Sequence, residues 1–168
     1  MEPEAWLRGP VPDVDPYLMP AAHALVQAGE DLAQAVAGLA GDQLRARPGG
    51  AASVGFHLRH IPGAIDRLLT YARGETLNDA QRAAARAEGE PGTDDEAAPM
   101  LAHAHRGIEQ ALAQIRATPR ASLLDPRPVG RAGLPTNVVG LLFHVAEHTQ
   151  RHTGQVIATA KVVRASGP

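Results

Sequence analysis

The chain has no cysteine, which excludes disulfide frameworks, thiolate zinc sites and a cysteine nucleophile together. Any metal it binds must be held by nitrogen or oxygen, and any thiol chemistry must use a thiol from outside. Aromatic residues are only 3% of the sequence, so the core must be aliphatic. The abundant alanine favours closely packed helices. An excess of one charge is also missing: the net charge is −2, which gives no electrostatic footprint for nucleic acid. No apolar stretch reaches the roughly 18 residues that span a bilayer. The first residues, Met-Glu-Pro-Glu-Ala-Trp-Leu-Arg, lack the basic start and apolar run of a signal peptide. The expectation is a cytoplasmic protein without nucleic-acid or membrane partners. Its 168 residues, 44% apolar and 20% charged, fit one domain, 1–168, with one core.

What is present is helical periodicity. Residues 1–15, with three prolines in the first dozen, read as an extended arm that packs on the domain or frays. From about Pro20 to Leu39, Leu25, Val26, Leu32, Val36 and Leu39 recur at helical spacing and define a first helix. Gly41 and Arg47-Pro-Gly-Gly50 end it in a loop. Ser53 is an N-cap for a second helix through Phe56, Leu58, Ile61, Ile65 and Leu69, stopping at Gly74. Pro62, inside that helix, predicts a kink beside His60. Residues 75–92 read as a short, polar, alanine-rich helix or loop with few anchors. Thr93-Asp-Asp-Glu96 has the form of a capping box. The third helix would follow it, burying Met100, Leu101, Ala104, Ile108, Leu112 and Ile115 and ending before Pro119. Segment 119–135, with four prolines and two glycines, is a long connection with room for a two-stranded ribbon around Pro128 to Leu134. Thr136 or Asn137 caps the last helix, which runs to about Arg164. The expected fold is all-α, a four-helix bundle with a long connection before the last helix.

The chemistry is in the histidines. Leu141-Leu-Phe-His-Val-Ala-Glu-His-Thr-Gln-Arg-His-Thr-Gly-Gln155 carries His144, His148 and His152, each four residues from the next. Three such imidazoles fall within roughly 80° of arc on one helix face. An i, i+4 pair can grip one ion, and histidine is the commonest metal-binding side chain. His57 and His60 lie on the second helix, so one of them plus a pair from the last helix supplies three ligands and leaves a position open. Along the last helix, Leu141, Val145, His148, His152, Val156 and Thr159 form the expected buried stripe, with His144 at its edge; this favours the pair His148 and His152. On the second helix, periodicity does not choose between His57 and His60.

The segments Ser53-Val-Gly-Phe-His-Leu-Arg-His-Ile-Pro-Gly-Ala-Ile-Asp-Arg67 and His144-Val-Ala-Glu-His-Thr-Gln-Arg-His-Thr-Gly-Gln-Val156 closely resemble the DinB-like superfamily, also called the DinB/YfiT-like metalloenzymes. The resemblance implies a four-helix bundle binding a divalent metal, nickel or zinc, through three histidines. One is the histidine before a small apolar run on the second helix, matching His60 of Arg59-His-Ile-Pro-Gly. The other two form an HxxxH pair before a Gly-Gln-like ending, matching His148 and His152. It also implies a homodimer and, from characterised relatives, a thiol-dependent S-transferase or isomerase using mycothiol, bacillithiol or glutathione.

The expectation is a divalent-metal-dependent enzyme acting on a small molecule, a thiol-dependent S-transferase or a hydrolase. The rival reading is a non-catalytic, metal-binding or stress-related helical bundle, which a fourth ligand such as His57 or His144 would favour. Glu147 and Gln155 lie within a turn of a ligand and are candidates to orient an imidazole or hold a water; solvated flank residues are the plainer reading. Asp66 and Arg67 read as a surface pair, with a substrate-facing Arg67 as the alternative. His103 and His105 read as surface residues and His23 as structural.

Overall fold

Six α-helices and one two-stranded ribbon make up the computed structural model, which describes residues 2–89 and 96–165. They run in the order α1 (Met19–Val36), α2 (Gly41–Arg45), α3 (Val54–Ala72), α4 (Asp79–Ala87), α5 (Ala97–Ala117), β1 (Pro126–Val129), β2 (Leu134–Asn137) and α6 (Val138–Ala165). The protein is therefore mostly helical. No helix of the described residues is long and apolar enough to cross a membrane.

The four long helices α1, α3, α5 and α6 carry the core. α1 packs against α6 and α5, and α3 packs against the same two. Leu25 and Leu32 of α1, Leu58, Ile61 and Ile65 of α3, Ile115 of α5, and Leu142, Val145 and Val156 of α6 are all excluded from solvent. Each helix turns an aliphatic stripe inward, so burial rather than propensity holds them together.

Local signals place the ends. Ser53 caps α3 by accepting from the Phe56 amide at 3.1 Å, and Asn137 caps α6 by accepting from the Gly140 amide at 2.8 Å. Gly74, at φ +81°, lets the chain leave α3 in a left-handed turn. Gly41 does not end the first helix: α1 stops at Val36, and Gly41 opens the short α2. Ahead of α5, the expected capping box is described only at its last residue, Glu96. Glu96 is itself the N-cap, makes no side-chain cap bond, and the helix begins at Ala97; Thr93 to Asp95 lie outside the described residues.

α3 runs unbroken through Pro62. Opposite Pro62 the neighbouring helix carries a glycine: a Cβ on Gly107 of α5 would stand 3.0 Å from Pro62 Cα and Cβ. The ribbon of the long connection is real: β1 and β2 pair antiparallel from Pro126↔Asn137 to Val129↔Leu134. Arg127 ties it to the end of α3 by donating to the Ala72 carbonyl at 2.9 Å.

The N-terminal arm is pinned to the helices. The Ala5 amide donates to Gln27 at 2.8 Å, His23 Nε2 meets the Gly9 carbonyl at 2.9 Å, and Arg120 reaches Asp15 at 2.8 Å. His23 is thus structural. His105 is not a plain surface residue, because its Nε2 meets the Gly29 carbonyl at 3.0 Å and pins α5 to α1.

Candidate metal centre

α3 and α6 pack side by side, and their histidine-bearing turns meet. His60 Nε2 lies 3.0 Å from His148 Nε2. One turn earlier on α3, His57 Nδ1 lies 3.0 Å from His152 Nδ1. The ring centroids of His60 and His152 are 4.4 Å apart, and those of His148 and His152 are 4.6 Å apart. One nitrogen from each of His60, His148 and His152 falls within 4.8 Å of the other two, and among the described residues no fourth His, Asp or Glu joins them. The four-residue step on α6 puts His148 and His152 on adjacent turns of one face, and α3 supplies the third ring from across the interface.

The pair does not sit at the centre of the buried stripe of α6. Leu142, Val145, Thr149, Thr153 and Val156 are the buried positions, with His148 and His152 half-buried at their border. An apolar pattern underrates Thr149 and Thr153 because their hydroxyls look polar. Each donates instead to a carbonyl of its own helix, Thr149 to Val145 at 2.7 Å and Thr153 to Thr149 at 2.9 Å, and so is satisfied inside the core.

Burial keeps three of these imidazoles, His57, His148 and His152, in the neutral form. Burial, and then the charge His60 would carry if protonated, push His57 and His148 down to about 4 and His152 down to about 3. Neutral imidazoles are the form that ligates a cation. Phe56 stacks on His60, with ring centroids 5.5 Å apart and planes 9° apart, and adds to the apolar wall. His148 Nδ1 is buried and has no hydrogen-bond partner among the described residues. The neutral His148 and His152, converging with His60, and one orphaned nitrogen make a donor set that fits a divalent ion.

The remaining candidates fall elsewhere. His57 is buried behind His152 and lies outside the converging trio. His144 is exposed and bonds Glu147 at 3.1 Å. Glu147 is held by His144 and by Arg151, not by a member of the trio, and Gln155 is exposed. Asp66 and Arg67 do not pair as a surface couple: Asp66 accepts from Gln81 at 2.8 Å, while Arg67 pairs with Glu88 at 2.5 and 3.1 Å.

Glu88 is the residue that sequence reasoning missed. It follows α4, a helix with no buried residue, yet its Oε2 lies 2.8 Å from His60 Nδ1. No periodicity marks such a position. The available signal was Gly63, an otherwise costly glycine in mid-helix; a Cβ there would meet Glu88 Oε1 at 2.4 Å.

No curated protein matches the sequence of the chain. A family model does match, over residues 24–156, a span running from α1 into α6 that contains all four of the packed histidines. By that match, joined to the convergence of His60, His148 and His152, the chain belongs to the DinB superfamily.

Proposed function

We propose that the protein is a divalent-metal-dependent enzyme whose ion is held by His60, His148 and His152, with nickel or zinc as the metal. One observation carries the reading: three imidazoles from two helices converge to within 4.8 Å without a fourth protein ligand among the described residues. We read the ring of four long helices as the four-helix bundle of the family, with α2, α4 and the ribbon as additions to it. An ion bound by three neutral imidazoles keeps its full charge and so acidifies a water or thiol brought to its open position. His60, His148 and His152 orient the ion, the aliphatic residues around them limit its solvation, and His57 supports His152 from behind. The chain offers no cysteine of its own, so a thiol, which suits nickel or zinc, would enter as a small-molecule substrate. A thiol-dependent S-transferase is the favoured reaction and a hydrolase the second.

The test is elemental analysis of protein purified without added metal. It is followed by loading with nickel, zinc, manganese and iron, and by assays of thiol transfer and hydrolysis. Activity should vanish with excess chelator and return with one of the ions. Turnover that persists in verified metal-free protein would overturn the proposal. Three of the few aromatic residues, Trp6, Tyr17 and Phe143, are more than 60% exposed, which supports a homodimer, the most frequent closed assembly. Light scattering should give twice the 17.6 kDa mass of the chain.

A further inference from the structure

We infer that Glu88 is a positioning residue that fixes the tautomer and orientation of His60, and that Gly63 exists to leave room for its carboxylate. The inference rests on the three-histidine reading above. Glu88 follows α4, which has no buried residue of its own, but the Glu88 side chain is only 14% exposed. Its carboxylate is taken up from two sides. Arg67 donates to both oxygens, at 2.5 Å to Oε1 and 3.1 Å to Oε2. His60 Nδ1 stands 2.8 Å from Oε2.

An ionised carboxylate only accepts, so His60 must carry its proton on Nδ1. That leaves a lone pair on Nε2, the atom that faces His148 Nε2 at 3.0 Å. Without Glu88 the ring could place its proton on either nitrogen, and half of its orientations would point an N–H at the cluster. A carboxylate behind a metal-binding imidazole fixes the tautomer and raises the basicity of the ligating nitrogen. Arg67 in turn keeps Glu88 aimed, because the guanidinium fork fits both oxygens at once.

Gly63 is the independent sign that this seat is built. It lies on α3 three residues after His60, where glycine is a poor helix former. A Cβ at this position would stand 2.4 Å from Glu88 Oε1 and 3.0 Å from Arg67 Nη1. Both atoms are ends of flexible side chains, so an added methyl group would move the carboxylate and leave the helix in place. Gly63→Ala therefore removes the positioning while keeping Glu88 in the sequence and improving helix propensity.

The experiment uses the full chain and zinc as the probe ion. Zinc affinity is read by competition with a chromogenic chelator. The His60 tautomer is read in metal-free protein from ring ¹⁵N shifts. Wild type should show His60 protonated at Nδ1. Glu88→Ala and Gly63→Ala should each weaken zinc binding by about 10- to 100-fold and release His60 to a mixture of tautomers, with the far-ultraviolet circular dichroism unchanged. Glu88→Gln, whose carbonyl oxygen can still accept from Nδ1, should retain the tautomer. If Glu88→Ala and Gly63→Ala bind zinc as wild type does while His148→Ala has lost it, Glu88 is only a tether for α4 and the inference is overturned. If wild type itself fails to bind any ion, the metal reading fails separately. The tautomer in metal-free protein then still decides, and His60 protonated at Nε2 would overturn the positioning role.

Discussion

His57 Nδ1 and His152 Nδ1 stand 3.0 Å apart across the α3–α6 interface, so one of them carries a proton and the other a lone pair. If His152 turns Nε2 toward an ion, its Nδ1 holds the proton and His57 is the acceptor. A ring that accepts in this way fixes its neighbour as a carboxylate or carbonyl would. At the proposed site His57, 4% exposed, would therefore support His152 without being a ligand itself.

Replacing the two histidines of α3 separates these roles. His60→Ala should eliminate tight ion binding, while His57→Ala should retain it with an affinity about 10- to 100-fold lower. Titration of both variants with zinc against a chelator checks the order. The reverse order would make His57 the ligand.

His148→Ala and His152→Ala should each abolish ion binding and leave the protein helical. The apolar residues of α1, α3, α5 and α6 are buried without help from a metal, unlike a zinc finger, which has no fold without its ion. Circular dichroism of both variants decides this. A collapse of helicity in metal-free protein would mean that the site is structural.

Acid should destabilise the metal-free protein in a defined window. Burial lowers His57 and His148 to about 4 and His152 to about 3, from an ordinary value of 6.5. Below that ordinary value the unfolded chain takes up protons that the folded one refuses, so stability rises with pH through this range. The contribution is complete above about pH 6.5 and is lost progressively as the pH falls toward about 4. Urea midpoints should decline between about pH 7.5 and about pH 5. His57→Phe, which cannot take up a proton, should flatten part of that slope.

Two helical glycines should respond to alanine with opposite signs. Gly107 faces Pro62, whose Cα would be 3.0 Å from a new Cβ; backbone cannot swing aside, so Gly107→Ala should cost about 1–3 kcal/mol. Gly154 on α6 has nothing within 4 Å of its would-be Cβ, and Gly154→Ala should stabilise by roughly 0.5–1 kcal/mol. Denaturant unfolding of both variants gives the two signs directly.

The long helices were legible because Leu25, Leu58, Ile108 and Val156 repeat at helical intervals and every helix must bury such a stripe. The histidine trio was legible for a different reason: four-residue spacing is itself a statement about shared faces. The choice of His60 over His57 was not available from periodicity, since both flank the apolar stripe of α3, and it came only with the resemblance. Glu88 was hidden because its contact depends on how the chain returns from α4 to a residue 28 positions earlier. Thr149 and Thr153 were left out of the expected buried stripe because a hydroxyl bonded to its own helix behaves as an apolar group, which a hydropathy pattern does not register.

The pairing of α1 with α6 has a consequence in time. Arg164, near the end of α6, donates to the carbonyl of Ala35 at the end of α1, 129 positions earlier. At a synthesis rate of about 5–20 residues per second, roughly 6 to 26 seconds separate the emergence of these partners from the ribosome. For that interval the inward face of α1, with Leu25 and Leu32, has no α6 to cover it, and His60 has neither His148 nor His152. In that interval α5, the other neighbour of α1, can cover part of that face, and the three imidazoles come together only once the last helix has docked.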